Sequence, residues 1–221
     1  MHYASLNSVR VEPSPGAYAF CSCCGSELIA KCGSQKLWHW AHKRRTHCDH
    51  WWENETIWHR NWKQKFPASW QEVVQSSESG EKHIADIKTE FGLVVEFQHS
   101  PISYQERWAR EMFYQKMIWV IDGTRLKSDT DTFFKHINVK KGRNVDGVEV
   151  VEFNPRVPRI TKRWMEAEKL IFLDFGDADL WGISAKMGIW QKITSKIPKV
   201  EFVDTITSGR SPLTVLEAIE F

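Results

Sequence analysis

Residues 81–98 read EKHIADIKTEFGLVVEFQ, and this stretch decides the fold class. Leu93 to Gln98 is a β-branched-rich run of the kind found in strands buried on both faces. Phe91-Gly92 marks a turn before it. His83 to Lys88, ahead of the turn, is a second strand, although Ile84 and Ile87 do not alternate cleanly with polar neighbours. If the two strands pair around the turn, Asp86 and Glu96 come to the same region of one sheet. Gln98 shares the face of Glu96, because side-chain direction repeats every second residue. Carboxylates buried in such a sheet need a counter-charge, which a divalent cation supplies. Oxygen ligands with room for water suit Mg²⁺ or Mn²⁺.

Upstream, Trp51 to Phe66 contains neither Pro nor Gly and carries Trp51, Trp58 and Trp62 on a helical spacing, which predicts a helix stopped by Pro67. That helix sets Glu55, His59 and Lys63 along one side at i, i+4 and i+8. An acid, a base and a cation in that row can complete a metal site and contact phosphate. An ordinary solvated helix face with charge pairs has the same pattern. Trp70 to Gln75 is a further strand. Downstream, Ser103 to Glu106 reads as a capping box opening a helix to about Lys116, and Met117 to Ile121 as a buried strand ended by Asp122-Gly123. The order helix, three strands, helix, strand describes a mixed α/β region with a meander at its centre, over 51–123.

Residues 1–50 differ in composition. All five cysteines lie between Cys21 and Cys48, and five of the nine histidines (39, 42, 47, 50, 59) fall in or just after that stretch. An odd, clustered count argues for metal ligation rather than a disulfide framework. Cys21-Ser22-Cys23-Cys24-Gly25 contains a CxxC knuckle followed by Gly, between short strands at Ala17 to Cys21 and Ser26 to Lys31. Trp38 to Lys43 reads as a short helix or turn, on which His39 and His42 share a face. Two thiolates and two imidazoles, from Cys21, Cys24, His39 and His42, suit tetrahedral Zn²⁺ in a structural role. Cys48 is the alternative fourth ligand in place of one histidine. The aliphatic content of 1–50 is too small for an independent core, so a staple is expected there.

The remainder, 124–221, reads as an accessory β-rich region with no visible chemistry. Lys169 to Phe175 and Leu180 to Ser184 form a hairpin around Gly176 to Asp179, Thr161 to Glu168 is a short helix, and Val200 to Ile206 is one more strand.

The chain has 221 residues, 42% hydrophobic and 26% charged, which excludes a miniprotein and a disordered chain. No apolar run approaches the ~20 residues of a membrane span, and no secretory signal opens the sequence, so a cytoplasmic protein is expected. Net charge is only +2, but residues 31–65 carry eight Lys and Arg against three acids. Such a segment can sit against phosphate. Trp38, Trp40, Trp51, Trp52, Trp58 and Trp62 crowd the same stretch, and any that are exposed can stack on bases of single-stranded or end-opened DNA. Core packing is the other use of those rings.

Asp86-x9-Glu96-x-Gln98, preceded by Glu55-Thr56-x-x-His59-x-x-x-Lys63 and by the CxxC with His39-Trp40-Ala41-His42, resembles the CoiA-like competence protein family, a branch of the PD-(D/E)xK nuclease superfamily. The resemblance runs over about residues 18–122. It implies a restriction-endonuclease-like core after a small zinc module, and metal-dependent hydrolysis of DNA phosphodiesters in uptake, recombination or phage defence. By matching motifs, Asp86 and Glu96 would hold the cation and Glu55 would assist. Gln98 stands where the superfamily usually has Lys, so it can orient a water but brings no charge; Lys63 or His59 can compensate. Arg107 and Arg110, on the helix after the ExQ strand, are candidates for backbone contacts. A non-catalytic zinc-containing DNA-binding or recombination accessory protein is the rival reading.

Overall fold

Few large apolar side chains are available to the first fifty residues, and the strands there are correspondingly short. In the computed structural model, residues 1–44, 48–51, 53–145, 148–153, 158–164, 166–183 and 193–210 are described. Arg45, His47, Trp52, Met165 and Ser184, each part of a feature read from the sequence, lie outside them. The chain forms two compact units, residues 1–88 and 89–221, and the described residues are mixed α/β with five α-helices.

The first unit opens with β1 (Ala4–Leu6), β2 (Val9–Val11), β3 (Tyr18–Phe20), β4 (Glu27–Lys31) and β5 (His39–His42), which form a five-stranded sheet in the order β2-β1-β3-β4-β5. All its pairings are antiparallel. The sheet covers a small core of Ala4, Ala19, Cys21, Cys23, Leu28 and Trp40, against which Cys48, Val74 and Ile84 also pack. Only Leu28 and Trp40 are large aliphatic or aromatic members, too few for a sheet of this size to stand on burial alone.

Residues 38–43 are therefore a correction: β5 is a strand paired with β4, Lys31 opposite His39 and Leu28 opposite His42, not a helix or turn. The single buried ring, Trp40, sits in the middle of four residues and faces the core, which is the period of a strand.

Next comes α1 (Ile57–Lys63), shorter than the predicted 51–66. Thr56 takes the N-cap position with extended backbone; its hydroxyl accepts the His59 N–H, while the His59 ring accepts the Thr56 N–H. This reciprocal cap ends the helix at Thr56 and leaves Glu55 outside it. After a 3₁₀ turn, β6 (Gln71–Ser76) and β7 (Lys82–Lys88) make an antiparallel hairpin.

In the second unit β8 (Val94–Gln98), α2 (Tyr104–Tyr114) and β9 (Met117–Asp122) form a β-α-β crossover, with β8 and β9 parallel and Glu96 opposite Trp119. Ser103 caps α2 by accepting the Glu106 N–H at 3.1 Å, but the Glu106 carboxylate turns to Arg110 rather than completing a box. Then follow α3 (Lys127–Lys135), β10 (Ile137–Val145), β11 (Val148–Phe153), α4 (Arg159–Trp164), β12 (Leu170–Asp174), β13 (Asp179–Ile183), β14 (Ile193–Pro198) and α5 (Lys199–Thr207). The strand order is β10-β11-β14-β13-β12-β9-β8. Strands β8, β9 and β12 run parallel and are buried along their whole length, as expected of strands covered on both faces.

Residues 200–206 are a second correction: they belong to α5, whose Phe202, Thr205 and Ile206 recur at helical spacing on the buried face, with the Phe202 ring 4.8 Å from that of Phe172. The β12–β13 hairpin falls where the sequence placed it. A Cβ at Gly123, just after β9, would stand 2.5 Å from the Phe175 ring and would force that ring to shift.

One buried carboxylate organises the back of β9. Glu111 on α2 accepts the Trp119 indole N–H at 2.9 Å and the Glu168 backbone N–H at 2.9 Å. Replacing Glu111 by Ala orphans both donors and is expected to lower the unfolding free energy by about 1–3 kcal/mol. Glu111→Gln, which keeps one acceptor oxygen, is expected to recover part of it. Urea titration of the three proteins checks both.

Candidate metal centre and charge clusters

The turn after β3 is the first part of the metal centre. Gly25 adopts φ +73°, and its N–H donates to the Cys21 carbonyl at 2.8 Å while the Cys21 N–H returns to Ser26. This tight loop turns Cys21 and Cys24 towards one point. β5 brings His42 alongside, and the segment after it brings Cys48. The ligand atoms of Cys21, Cys24, His42 and Cys48 all lie within 4.8 Å of one another. Cys21 Sγ is 3.8 Å from Cys48 Sγ, and Cys24 Sγ is 3.4 Å from His42 Nε2. A tetrahedron with metal–sulfur bonds of about 2.3 Å has sulfur–sulfur edges of about 3.8 Å and sulfur–nitrogen edges of about 3.5 Å. A Cys₃His set on those edges fits a metal such as zinc.

His39 is absent from this set, which corrects its reading as a ligand. On a strand, residues three apart point to opposite faces, and His39 Nδ1 lies 2.8 Å from the Leu37 carbonyl. It lines, with Trp38, Glu55 and Thr56, a cavity of about 820 Å³ in the first unit. Cys48, the alternative ligand, is the one the fold delivers.

The protonation pattern of the ligands without metal is uneven. Burial pushes the Cys24 thiol up, but hydrogen bonds from Ser26 and His42 outweigh it and bring the group to about 6. Cys48 is pushed far upward by burial and by the neighbouring sulfur of Cys21. A coordinated cation reverses that bias by stabilising thiolates.

A second cluster surrounds Lys63, which is buried. Its ammonium lies 2.6 Å from Glu55 Oε1, 2.7 Å from Glu72 Oε1 and 4.0 Å from Asp86 Oδ1. Arg60 also contacts Glu55. Glu72, which the sequence reading missed, accepts the backbone N–H groups of His2 and Tyr3 as well. Burial works against the Lys63 ammonium, yet the Glu72, Asp86 and Glu55 carboxylates hold it above its ordinary value. Burial likewise opposes the Glu72 carboxylate, and Lys63 overcomes it, holding that carboxyl well below the usual range. Of the predicted row Glu55, His59 and Lys63, the first and last thus come together, with Asp86 4.0 Å from the ammonium. His59 is occupied otherwise: one nitrogen caps α1 and the other faces Glu53 at 3.3 Å.

In the second unit Glu96 and Gln98 are both buried on the same face of β8. Arg110 Nη1 donates to Glu96 Oε2 at 3.1 Å. Gln98 donates its amide N–H to the Ser100 carbonyl at 2.8 Å, which fixes the orientation of the amide. Its Oε1 is buried with no hydrogen-bond partner among the described residues. Arg107 and Arg110, expected to reach a phosphate backbone, are instead 3% and 5% exposed. Arg107 donates to the Arg163 carbonyl at 2.7 Å and Arg110 is held by Glu96 and Glu106. The α2 face that carries them is the buried one.

The carboxyl ends of the parallel strands carry acids that the sequence reading passed over. Asp122 Oδ2 lies 2.7 Å from His99 Nδ1, and Asp174 Oδ1 lies 2.6 Å from Lys199 Nζ. An Asp ending an apolar strand just before a Gly-containing turn, as in Asp122-Gly123 and Asp174-Phe175-Gly176, was the available signal.

Residues 17–50 match the family model described as the N-terminal domain of the competence protein CoiA. The matched residues include all four members of the Cys₃His cluster. No curated protein and no solved structure matches the chain. No helix among the described residues is long and apolar enough to cross a membrane.

Two outcomes follow from these clusters. His42→Ala is expected to lose the bound metal and His39→Ala to keep it, read as metal content per chain after dialysis. Lys63→Met removes the buried ammonium that Glu55 and Glu72 share, leaving Arg60 and the His2 and Tyr3 N–H groups as their partners, and is expected to cost about 3–5 kcal/mol in urea unfolding. In the wild type the Glu72 contribution is complete above the unfolded-state value of ~4.3 and falls away as pH drops below it. The Lys63 contribution is complete below ~10.4 and falls away only at higher pH. The variant is expected to lose most of the acid limb.

Proposed function

We propose that this CoiA-like protein is a metal-dependent nuclease that hydrolyses DNA phosphodiester bonds, and that Asp86 and Glu96 are each needed for its Mg²⁺- or Mn²⁺-dependent chemistry. The observation that carries the reading is the pair Glu96 and Gln98: a buried carboxylate beside a buried amide oxygen that lacks a hydrogen-bond partner. Leaving such an acceptor unsatisfied costs about 1–3 kcal/mol, and a hydrated cation or its water would satisfy it. The order of elements α1, β6, β7, β8, α2, β9 agrees with the order that the nuclease resemblance implies.

When bound, a divalent cation lowers the pKa of a coordinated water and neutralises phosphate oxygens. Gln98 Oε1 is the acceptor that orients the attacking water. Lys63 is the cation beside Asp86, 4.0 Å from its Oδ1, and Glu55 holds that ammonium in position. His59 is a positioning residue for α1 in this scheme, since its nitrogens face Thr56 and Glu53. For the nucleic acid, Trp38 offers a ring 46% exposed, on the wall of the first-unit cavity that Lys36 also lines. Single-stranded or frayed DNA can stack there. Trp40, Trp51 and Trp62 are buried and serve packing.

The engagement of Lys63 by two carboxylates also suits the second reading, a zinc-containing DNA-binding accessory protein without catalysis. Purified protein with Mg²⁺ or Mn²⁺ is expected to cut DNA, and Asp86→Ala and Glu96→Ala to reduce cleavage at least 100-fold while DNA retention on a gel stays unchanged. Cleavage equal in wild type and both variants, or DNA binding with no cleavage in any of them, contradicts the nuclease.

A further inference from the structure

We infer that His50, Glu81 and His83 form a second cation site in the first unit, separate from the Cys₃His cluster and open to solvent. The ligand atoms of the three residues lie within 4.8 Å of one another. His83 is on β7, Glu81 immediately precedes that strand, and His50 follows two residues after Cys48. The site therefore shares the Cys48-Asp49-His50 segment with the first centre but none of its ligands.

The orientation of His83 carries the inference. Its Nδ1 lies 2.9 Å from Asp49 Oδ1 and its Nε2 lies 2.9 Å from Glu81 Oε1. Asp49 is itself fixed by the backbone N–H groups of Trp51 at 3.0 Å and Ile84 at 2.8 Å. The Trp51 ring stacks on the imidazole at 13° between planes. A histidine whose one nitrogen is turned to a fixed carboxylate presents the other as a ligand, and this second partner is what sets the tautomer of metal-binding histidines. With the Nδ1 proton on the Asp49 side, Nε2 and Glu81 Oε1 are two acceptors facing each other. A proton between them reconciles those two alone. A divalent cation reconciles them and also takes the His50 ring, whose centroid is 5.1 Å from that of His83.

Two imidazoles and a carboxylate are a borderline donor set, suited to Zn²⁺ or Mn²⁺ rather than to Mg²⁺ or Ca²⁺. His50 and Glu81 are exposed while His83 is buried, so three protein ligands hold the ion from one side. The remaining positions face solvent and are open to water or an anionic oxygen. This differs from the closed tetrad at the cysteines, where no position is left over. The inference does not rest on the nuclease reading.

The test uses the full chain with the Cys₃His centre already loaded with one equivalent of Zn²⁺, titrated with Zn²⁺ and separately with Mn²⁺ by calorimetry. The wild type is expected to bind one further equivalent. Glu81→Gln and His50→Asn, both at exposed positions and outside the first centre, are each expected to weaken that second equivalent at least ten-fold. Metal content is expected to show the first zinc retained in both, which also reports that the fold is intact. A wild type that takes up no second equivalent of either metal, or variants that bind it as the wild type does, overturns the inference.

Discussion

Three sulfurs and an imidazole nitrogen drawn to within 4.8 Å of one another form a constraint on which the first unit depends. Thiols have no reason to gather this tightly by hydrogen bonding, which is weak for sulfur. Two of the observed separations are instead the edges of a coordination tetrahedron. The sheet around them buries few large side chains. In small metallo-domains the metal supplies the missing folding free energy, and here it would join the turn after β3, the end of β5 and the Cys48 segment at one point.

From that point a chain of contacts runs into the β6–β7 hairpin. Asp49 follows Cys48 and accepts N–H groups from Trp51 and Ile84 while facing His83. Glu72 on β6 takes the His2 and Tyr3 N–H groups and the Lys63 ammonium. Its backbone sits at φ +48°, a conformation an L residue adopts rarely, and one that this network over-determines. Removal of one buried charge therefore leaves several others uncompensated. The second unit repeats the device with Glu111 and with Arg110 between Glu96 and Glu106. Buried carboxylates serve structure and proposed chemistry in the same strands, so activity measurements on variants need a parallel measurement of folding.

Much of this was legible in local patterns. The Cys21 to Gly25 knuckle, the buried run 93–98, the Ser103 cap and the hairpin around Gly176 depend on neighbours in sequence, and the elements formed there. The misreadings have a common cause. His39 and His42 were paired on a helical period, whereas four residues paired to β4 follow the period of a strand and separate them. Residues 200–206, rich in β-branched side chains, read as a strand until tertiary packing of Phe202 on Phe172 favoured a helix. Glu72 could not be found by pattern at all, because its partners His2 and Tyr3 are 70 and 69 residues away. Arg107 and Arg110 were read as phosphate-backbone contacts from their place on the helix after the ExQ strand; the carboxylates that draw them inward are legible only in three dimensions.

X-ray absorption at the zinc edge, on protein carrying one equivalent of zinc, addresses the Cys₃His centre most directly. The account predicts a first shell of three sulfurs near about 2.3 Å and one nitrogen near about 2.0–2.1 Å. A shell of two sulfurs and two nitrogens would return His39 to the set, and a shell of oxygens with no sulfur would remove the centre altogether.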